Sequence, residues 1–373
     1  MLDIKFIREN KDLIALAATK KRIKFNVEDL IASDDKRLLI LKDVEELRAK
    51  QNEASQKMAQ ASEADRTSII EKMREVKEEL KLKEEALGEV MKGWQLLMLA
   101  VPNIPDMTVP DGASDADNVE VKRWGEPTAF DFVPKDHVTL MEAHDMADFE
   151  RGTKVAGFRG YFLKGDGALL EYAVWQLAIK HFMTKDFVPL HVPSLVRKDT
   201  LVGTGYLPGG EEDLYRTQDD EYLAGTGEVA TMGYYMNEVI DLSKGPIKFL
   251  AFSPCFRREA GAHGKDVKGL IRVHEFFKWE QVVLCEASHE ESVKHHEWLN
   301  RNTEEFIELL TIPYHTVAHC GGDLGQGQVK KYDIELWVPA EKKYREISSA
   351  SYFHDFQARR VNTRYKDSEG KLR

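Results

Sequence analysis

Residues 247–286 concentrate groups that handle anions and ring systems: Arg257, Arg258, Glu259, Arg272, His274, Phe276, Lys278 and Glu280. They ride on two apolar, strand-like runs, 247–259 and 271–284, separated by a loop rich in glycine and charge at 260–269. Two such runs with a flexible connection predict an antiparallel hairpin. Alternation along each run then sorts the side chains. Ala251, Ser253, Cys255, Arg257 and Glu259 share one face of the first strand, and Leu250, Phe252, Phe256 and Arg258 share the other. On the second strand Arg272, His274, Phe276, Lys278 and Glu280 lie together. One face can therefore present two guanidinium groups, an aromatic ring and two carboxylates. Arginine forks suit phosphate and carboxylate oxygens, and the ring offers a stacking surface. Such a set is costly to bury without a ligand; a solvated sheet face is the plainer reading of the same pattern.

A second hairpin is expected from residues 333–338 and 344–349, turning through 339–342. It brings Asp333, Glu335, Glu346, Ser348 and Ser349 toward a strand end, oxygen donors suited to a Mg2+-bound polyphosphate. Upstream, residues 168–183 read as an amphipathic helix with Leu170, Val174, Leu177 and His181 or Phe182 on one side. It runs into 187–193, where Pro189 and Pro193 restrict the chain to a sheet edge or an interface.

The N-terminal third has a different texture. Ile40, Val44, Leu47, Gln51, Ala54, Met58 and Ala61 recur in alternating steps of four and three. Ile69, Met73, Val76, Leu80, Lys83, Leu87, Val90, Trp94 and Leu97 do the same. That repeat keeps one narrow apolar seam against a partner helix. Residues 62–68 interrupt it, Ser68 is placed to cap the second helix, and so short a connection makes the two helices antiparallel neighbours. The second would extend about 45–50 Å. Gln51 and Lys83 in the seam suit a modest, non-polymerising coiled coil. A solvated structural arm and a nucleic-acid-binding arm are both open on this pattern. Lys20, Lys21, Arg22 and Lys24 form the densest basic cluster, which by itself reads as a solvated face. Pro102 and Pro105 end the second helix, and a polar linker runs from 106 to about 118. The expected division is an arm over 1–105 and a mixed helix and strand domain over 106–373.

Composition sets limits. The 373 residues carry a net charge of −11, yet residues 1–100 hold 20 basic and 20 acidic side chains, so the whole deficit lies beyond them. The arm is the less repelling surface for a phosphate backbone. Cys255, Cys285 and Cys320 are widely spaced with no C-x-x-C pair, which speaks against a disulfide framework and fits a reducing cytosol. No apolar run reaches the ~20 residues of a membrane span, and the start lacks an export signal. Residues 321–328 are glycine-rich but lack the Lys-Ser/Thr ending of a P-loop. His295, His296 and Glu297 read as part of a surface helix, and Cys255 and Cys285 as small apolar groups rather than nucleophiles.

Together these elements resemble class II aminoacyl-tRNA synthetases, and specifically the seryl-tRNA synthetase family. The opening residues 1–10 look like that family's start, 168–193 like motif 1, and 256–261 with 271–276 like motif 2. Residues 333–337 and 346–351, followed by Asp355, Phe356, Gln357, Ala358, Arg359 and Arg360, are similar to a run distinctive of the seryl enzymes. The resemblance implies an α+β fold, with an antiparallel two-helix coiled-coil arm and a class II antiparallel β-sheet domain flanked by helices. It implies a homodimeric serine–tRNA ligase. Such an enzyme takes ATP, L-serine and Mg2+ and charges tRNA(Ser) through the arm, with tRNA(Sec) as a further acceptor. By the same resemblance Arg257 is the catalytic residue. Thr226, Gly227, Glu228, Arg257 and Glu280 bind serine. Arg257, Arg258, Glu259, Arg272, Val273, Phe276, Glu346, Ile347, Ser348 and Ser349 bind ATP, with Glu346 and Ser349 on the metal. Within these sets Phe276 stacks on adenine, Glu259 accepts its amino group and Arg272 holds the phosphate tail. Gly227 stands where the family usually has alanine, expected to loosen the backbone and little more. Family members continue with a third motif whose arginine grips ATP, while the sequence ends at Arg373, so impaired activity is an expectation. A paralogue acting on a non-tRNA acceptor and a non-catalytic binding protein are the alternatives; the long arm favours the tRNA enzyme.

Overall fold

The computed structural model describes every residue except Ala61, His263 and Lys265, and it leaves the side chains of Ala59, Gln60, Glu63, Ala64, Asp65 and Ser68 undescribed. The described residues form two compact units: 2–19 with 23–102, and Met1 with 20–22 and 103–373. The architecture is α+β, as expected.

In the helical unit, Asp3 caps the short helix Ile4–Glu9 by accepting from Lys5 N at 2.8 Å. Two long helices, Val27–Gln60 and Glu63–Ala100, then form the hairpin. Both start earlier than the heptads suggested, because charged, strongly helix-forming segments extend them beyond the apolar seam. The second begins after Ser62 rather than Ser68. Val44, Leu47 and Leu80 are buried in the seam, with Ile40, Val76 and Leu87 against them. One of its polar positions is paired: Lys83 Nζ lies 2.7 Å from Asp43 Oδ2. Arg37 sits over the Trp94 ring at 4.7 Å. The expected seam residue Ala61 lies outside the described residues.

The other unit contains two main sheets. Strands Val119–Trp124, Tyr314–Ala318, Lys330–Val338 and Lys343–Tyr352 make a four-stranded antiparallel sheet in that order. Strands Glu275–Leu284 and Ile247–Phe256 pair antiparallel, and Val188–His191 adds a parallel edge. Pro189 is tolerated there because an edge strand has an unpaired side. Helix Asp166–Met183 packs Ala178 and Phe182 with Phe187 and Leu250. Leu170 was expected on that inner face but is 58% exposed, as are Leu169 and Tyr172 at similar levels; the helix is apolar on more than one side, and its C-terminal half does the burying. Helix His289–Leu309 also departs from expectation. His295 and His296 are buried rather than on the surface. His296 stacks on Tyr332 at 4.7 Å, with Nε2 2.9 Å from the Ala350 carbonyl. No described helix is long and apolar enough to cross a membrane.

The basic cluster before the arm is structural at its centre. Lys21 is 3% exposed, and its ammonium donates to the carbonyls of Gly325, Gln326 and Gln328 at 3.1, 2.8 and 2.5 Å. Burial pulls its pKa down to about 7, while the three carbonyl oxygens oppose that pull. The glycine-rich segment thus receives the lysine through its main chain. Lys21→Met keeps the length of the side chain but strands three acceptors. We expect a loss of about 2 kcal/mol, read as a melting temperature lower by roughly 5 °C; an unchanged melting curve would show that the carbonyls are otherwise satisfied.

Candidate active site

The hairpin has the register that alternation required. Cα partners are Phe276 with Cys255, Lys278 with Ser253 and Glu280 with Ala251, so these six residues share one face. The partners on the first strand are small and buried, leaving room above them for the longer groups opposite. Ladder pairing ends at Phe256 and Glu275, earlier than the expected limits of Glu259 and Ile271. Arg257 N still donates to His274 O at 3.0 Å, but Arg258 N turns to Asp213 O, and Glu259 adopts a left-handed φ of 55°. The charged tips of the hairpin are therefore set by a turn and not by the pleat. Arg257 nonetheless lies over the Phe276 ring at 5.1 Å and donates from Nε to Gly225 O at 3.2 Å. Glu259 Oε2 accepts from Arg272 Nη1 at 2.6 Å, with Asp266 3.7 Å from Arg272 Nε. Val273 is buried beside this pair in sequence, and Arg258 is exposed.

Thr226 and Glu228 come from the start of the helix Gly227–Gly233, for which Thr226 is the N-cap. The Thr226 hydroxyl donates to Glu280 Oε2 at 2.6 Å and accepts from Lys278 Nζ at 2.7 Å. Lys278 also pairs directly with Glu280. Glu228 is held from two distant segments, by Gln357 Nε2 at 2.7 Å and the Tyr206 hydroxyl at 3.3 Å. Burial, then the neighbouring Glu280, pushes the Glu228 carboxyl up, and Gln357 and Lys278 pull it back. Gly227 matters for more than backbone freedom: a Cβ there would meet Ser253 Oγ at 3.0 Å and Glu280 Cβ at 3.4 Å. The glycine lets the helix start sit tightly on the hairpin face.

Glu346 and Ser349 are three apart in a strand, which simple alternation would send to opposite faces. The register shifts between Ile334 and Glu335: Ser349 pairs with Asp333 and Ser348 with Ile334, but Glu346 pairs with Glu335. Ile347 is the extra residue of a β-bulge, and the bulge restores Glu346 and Ser349 to one face with Asp333 and Glu335. Desolvation, then repulsion from Asp333, pushes the Glu346 carboxyl up, while Lys331 and Arg257 pull it down. That last influence ties the second hairpin electrostatically to Arg257.

Several participants carried no sequence signal for a role here: Tyr206, Gly225, Asp213 and Gln357, the last visible only as part of a family-like run. Arg345 was also missed; it pairs with Asp266 and Glu341, both at 2.8 Å. Among the described residues no three His, Cys, Asp or Glu side chains converge as a ready-made metal cage.

Residues 1–105 match the seryl-tRNA synthetase N-terminal domain, and residues 213–373 match the tRNA synthetase class II core domain of the Gly, His, Pro, Ser and Thr enzymes. Over all 373 residues the chain is 45% identical to the serine–tRNA ligase of Deinococcus radiodurans, spanning 88% of that protein. The seryl-tRNA synthetase of Pyrococcus horikoshii complexed with ATP superposes with a TM-score of 0.90 at 35% identity, covering 100% of this chain and 89% of that one. The cytoplasmic serine–tRNA ligase of Naegleria fowleri in complex with AMP gives 0.84 at 28% identity, with 100% and 88% covered. An arm, a hairpin of arginines and carboxylates and these likenesses along the full length agree: the chain belongs to the seryl-tRNA synthetase family and acts as a serine–tRNA ligase.

Proposed function

We propose the following division of labour for the ligation of serine to tRNA. Serine lies among Thr226, Gly227, Glu228 and Glu280, its ammonium against the carboxylates and its hydroxyl toward Glu280. ATP lies over the hairpin, with adenine on Phe276 and its amino group toward Glu259. Arg258, Val273, Ile347 and Ser348 line its site. Arg272 spends Nη1 on Glu259 and keeps Nε beside Asp266, which leaves Nη2 of its fork for the phosphate tail. A serine carboxylate oxygen attacks the α-phosphorus, the bond to the bridging oxygen breaks, and pyrophosphate leaves. Arg257, between Gly225 and Phe276, neutralises the carboxylate and the α-phosphate as they meet. The tRNA 3′-end hydroxyl then attacks the seryl carbonyl and releases AMP. This is chemistry of positioning and charge neutralisation, with no side-chain nucleophile required.

Glu346 and Ser349 fit a Mg2+ ion: both offer hard oxygen donors on one bulged face, and two protein ligands completed by phosphate oxygens suit this cation. Bound there, the ion would neutralise charge on the polyphosphate. The arm holds tRNA(Ser), with tRNA(Sec) as a second acceptor, and the uneven charge along the chain supports that placement. The exposed apolar side chains of Leu169, Leu170, Tyr172 and Val188 support a homodimer that would cover them. The reaction belongs to the cytoplasm.

The observation that carries this reading is the Thr226–Glu280 hydrogen bond beside Glu228, with Arg257 a few atoms away. Such a pocket leaves polar groups unpaired when alanine replaces serine. We expect ATP–pyrophosphate exchange to favour serine over alanine by roughly 10⁴ in kcat/KM. A ratio near 10, the value of an apolar pocket, would sink the assignment.

A further inference from the structure

We propose that Lys278 is a positioning and specificity-determining residue of the amino-acid pocket, a resident counter-cation that matches the pocket to a zwitterionic α-amino acid. The inference rests on the serine pocket described above and goes beyond it, because none of the roles assigned there uses this side chain.

Three observations carry it. First, Lys278 lies two residues from Glu280 on the same strand face, opposite Ser253, so the pleat fixes both groups over a floor of small residues. Second, its ammonium is committed at the heart of the pocket, to Thr226 Oγ1 at 2.7 Å and to Glu280 Oε2. A threonine hydroxyl has one proton. By filling an acceptor site of that oxygen, Lys278 directs the proton toward Glu280, where it is found at 2.6 Å. Glu280 Oε2 is thereby fixed by two donors, and Oε1 remains for a ligand. Third, the formal charges balance only with Lys278 present. Glu228 and Glu280 supply two negative charges; Lys278 and Arg257 supply two positive. A substrate bearing one ammonium and one carboxylate then enters without changing the sum. Without Lys278 the two carboxylates face each other with Arg257 as the remaining cation of the set, and a neutral zwitterion no longer satisfies them.

The groups facing Glu228 are Gln357, Tyr206, Glu280, Lys278 and, through Tyr206, Arg257. Glu280 already pushes the Glu228 carboxyl up, and Lys278 opposes it. Removing that opposition raises it further, so Glu228 gives up its charge, and its hold on an ammonium, at a higher pH in the variant than in the wild type. The defect must therefore be worst at low pH and recover as pH rises and Glu228 ionises again. Loss of packing alone would weaken binding equally at every pH.

The test is calorimetric titration of L-serine into the full chain, with KM for serine and ATP measured in exchange, for Lys278→Met, Lys278→Arg and Glu280→Ala between pH 6 and 9. Lys278→Met should weaken serine roughly 10- to 100-fold at pH 7 and regain much of it by pH 9, with KM for ATP moved less than about threefold. Lys278→Arg should restore most of the affinity. A pH-independent loss, equal effects on serine and ATP, or no rescue by arginine overturns the proposal. Glu280→Ala separates the two levels: if it leaves serine binding intact, the pocket itself is misplaced. If Glu280→Ala abolishes binding while Lys278→Met does not, only the role of Lys278 falls.

Discussion

Replacing Arg257 with alanine should lower kcat/KM for serine-dependent ATP–pyrophosphate exchange by about 10³-fold, the scale on which removal of one fixed charge-stabilising donor reads in other enzymes. The reason lies in how the guanidinium is held. Nε is spent on Gly225 O, and the plane lies over Phe276 at 5.1 Å, so the terminal nitrogens are aimed before either substrate arrives. Two anions must approach each other in adenylate formation, and Lys278, the other cation of this face, is already committed to Thr226 and Glu280. Arg257 itself is solvent-exposed at the end of the ladder, and its main-chain bond to His274 survives the substitution. The melting temperature should therefore move by less than about 2 °C. Arg258→Ala is the comparison: this exposed residue lines the ATP site without meeting the reacting groups, and its activity should fall by less than about tenfold. Exchange within threefold of wild type in Arg257→Ala would remove this residue from the chemistry.

What was legible in the sequence followed from periodicities that the chain cannot escape. Alternation correctly grouped Phe276, Lys278 and Glu280 with the small residues Ala251, Ser253 and Cys255, because the register of a paired hairpin preserves faces. The heptad spacing found Val44, Leu47 and Leu80. Local breaks of period were not legible. A bulge adds one residue without changing the apolar pattern, so the sharing of a face by Glu346 and Ser349 emerged only from the register at Ile347. The left-handed Glu259 likewise ended the pleat where sequence alternation seemed to continue. Groups recruited from afar, such as Tyr206 and Gln357 on Glu228, have no spacing to betray them. Lys21 and His296 were misread for a shared reason. Each sits among charged neighbours, and neighbours in sequence do not reveal which single side chain turns inward to main-chain carbonyls.

Shortening the arm should separate the two half-reactions. The excision can be designed from the seam. Ile40 and Leu87 pack against the same cluster, and Arg37 meets Trp94, so removing residues 41–86 and joining Ile40 to Leu87 through a glycine-rich turn keeps the antiparallel register at the base. The lost segment buries little beyond its own seam, whose outer faces are charged and solvated, so its removal exposes few apolar groups. Exchange uses only groups in the sheet unit and should stay within about twofold. Transfer to tRNA depends on holding a long polyanion by many weak, salt-sensitive contacts, and a protein that gives up several phosphate contacts loses roughly 10²-fold or more in affinity. Serylation at low tRNA concentration should fall by about that factor, and most of the remaining binding should be insensitive to added salt. A shortened enzyme that charges tRNA at the full rate would leave the arm as a structural element and move the tRNA interface onto the sheet unit. Exchange that falls together with serylation would mean instead that the helices support the catalytic fold.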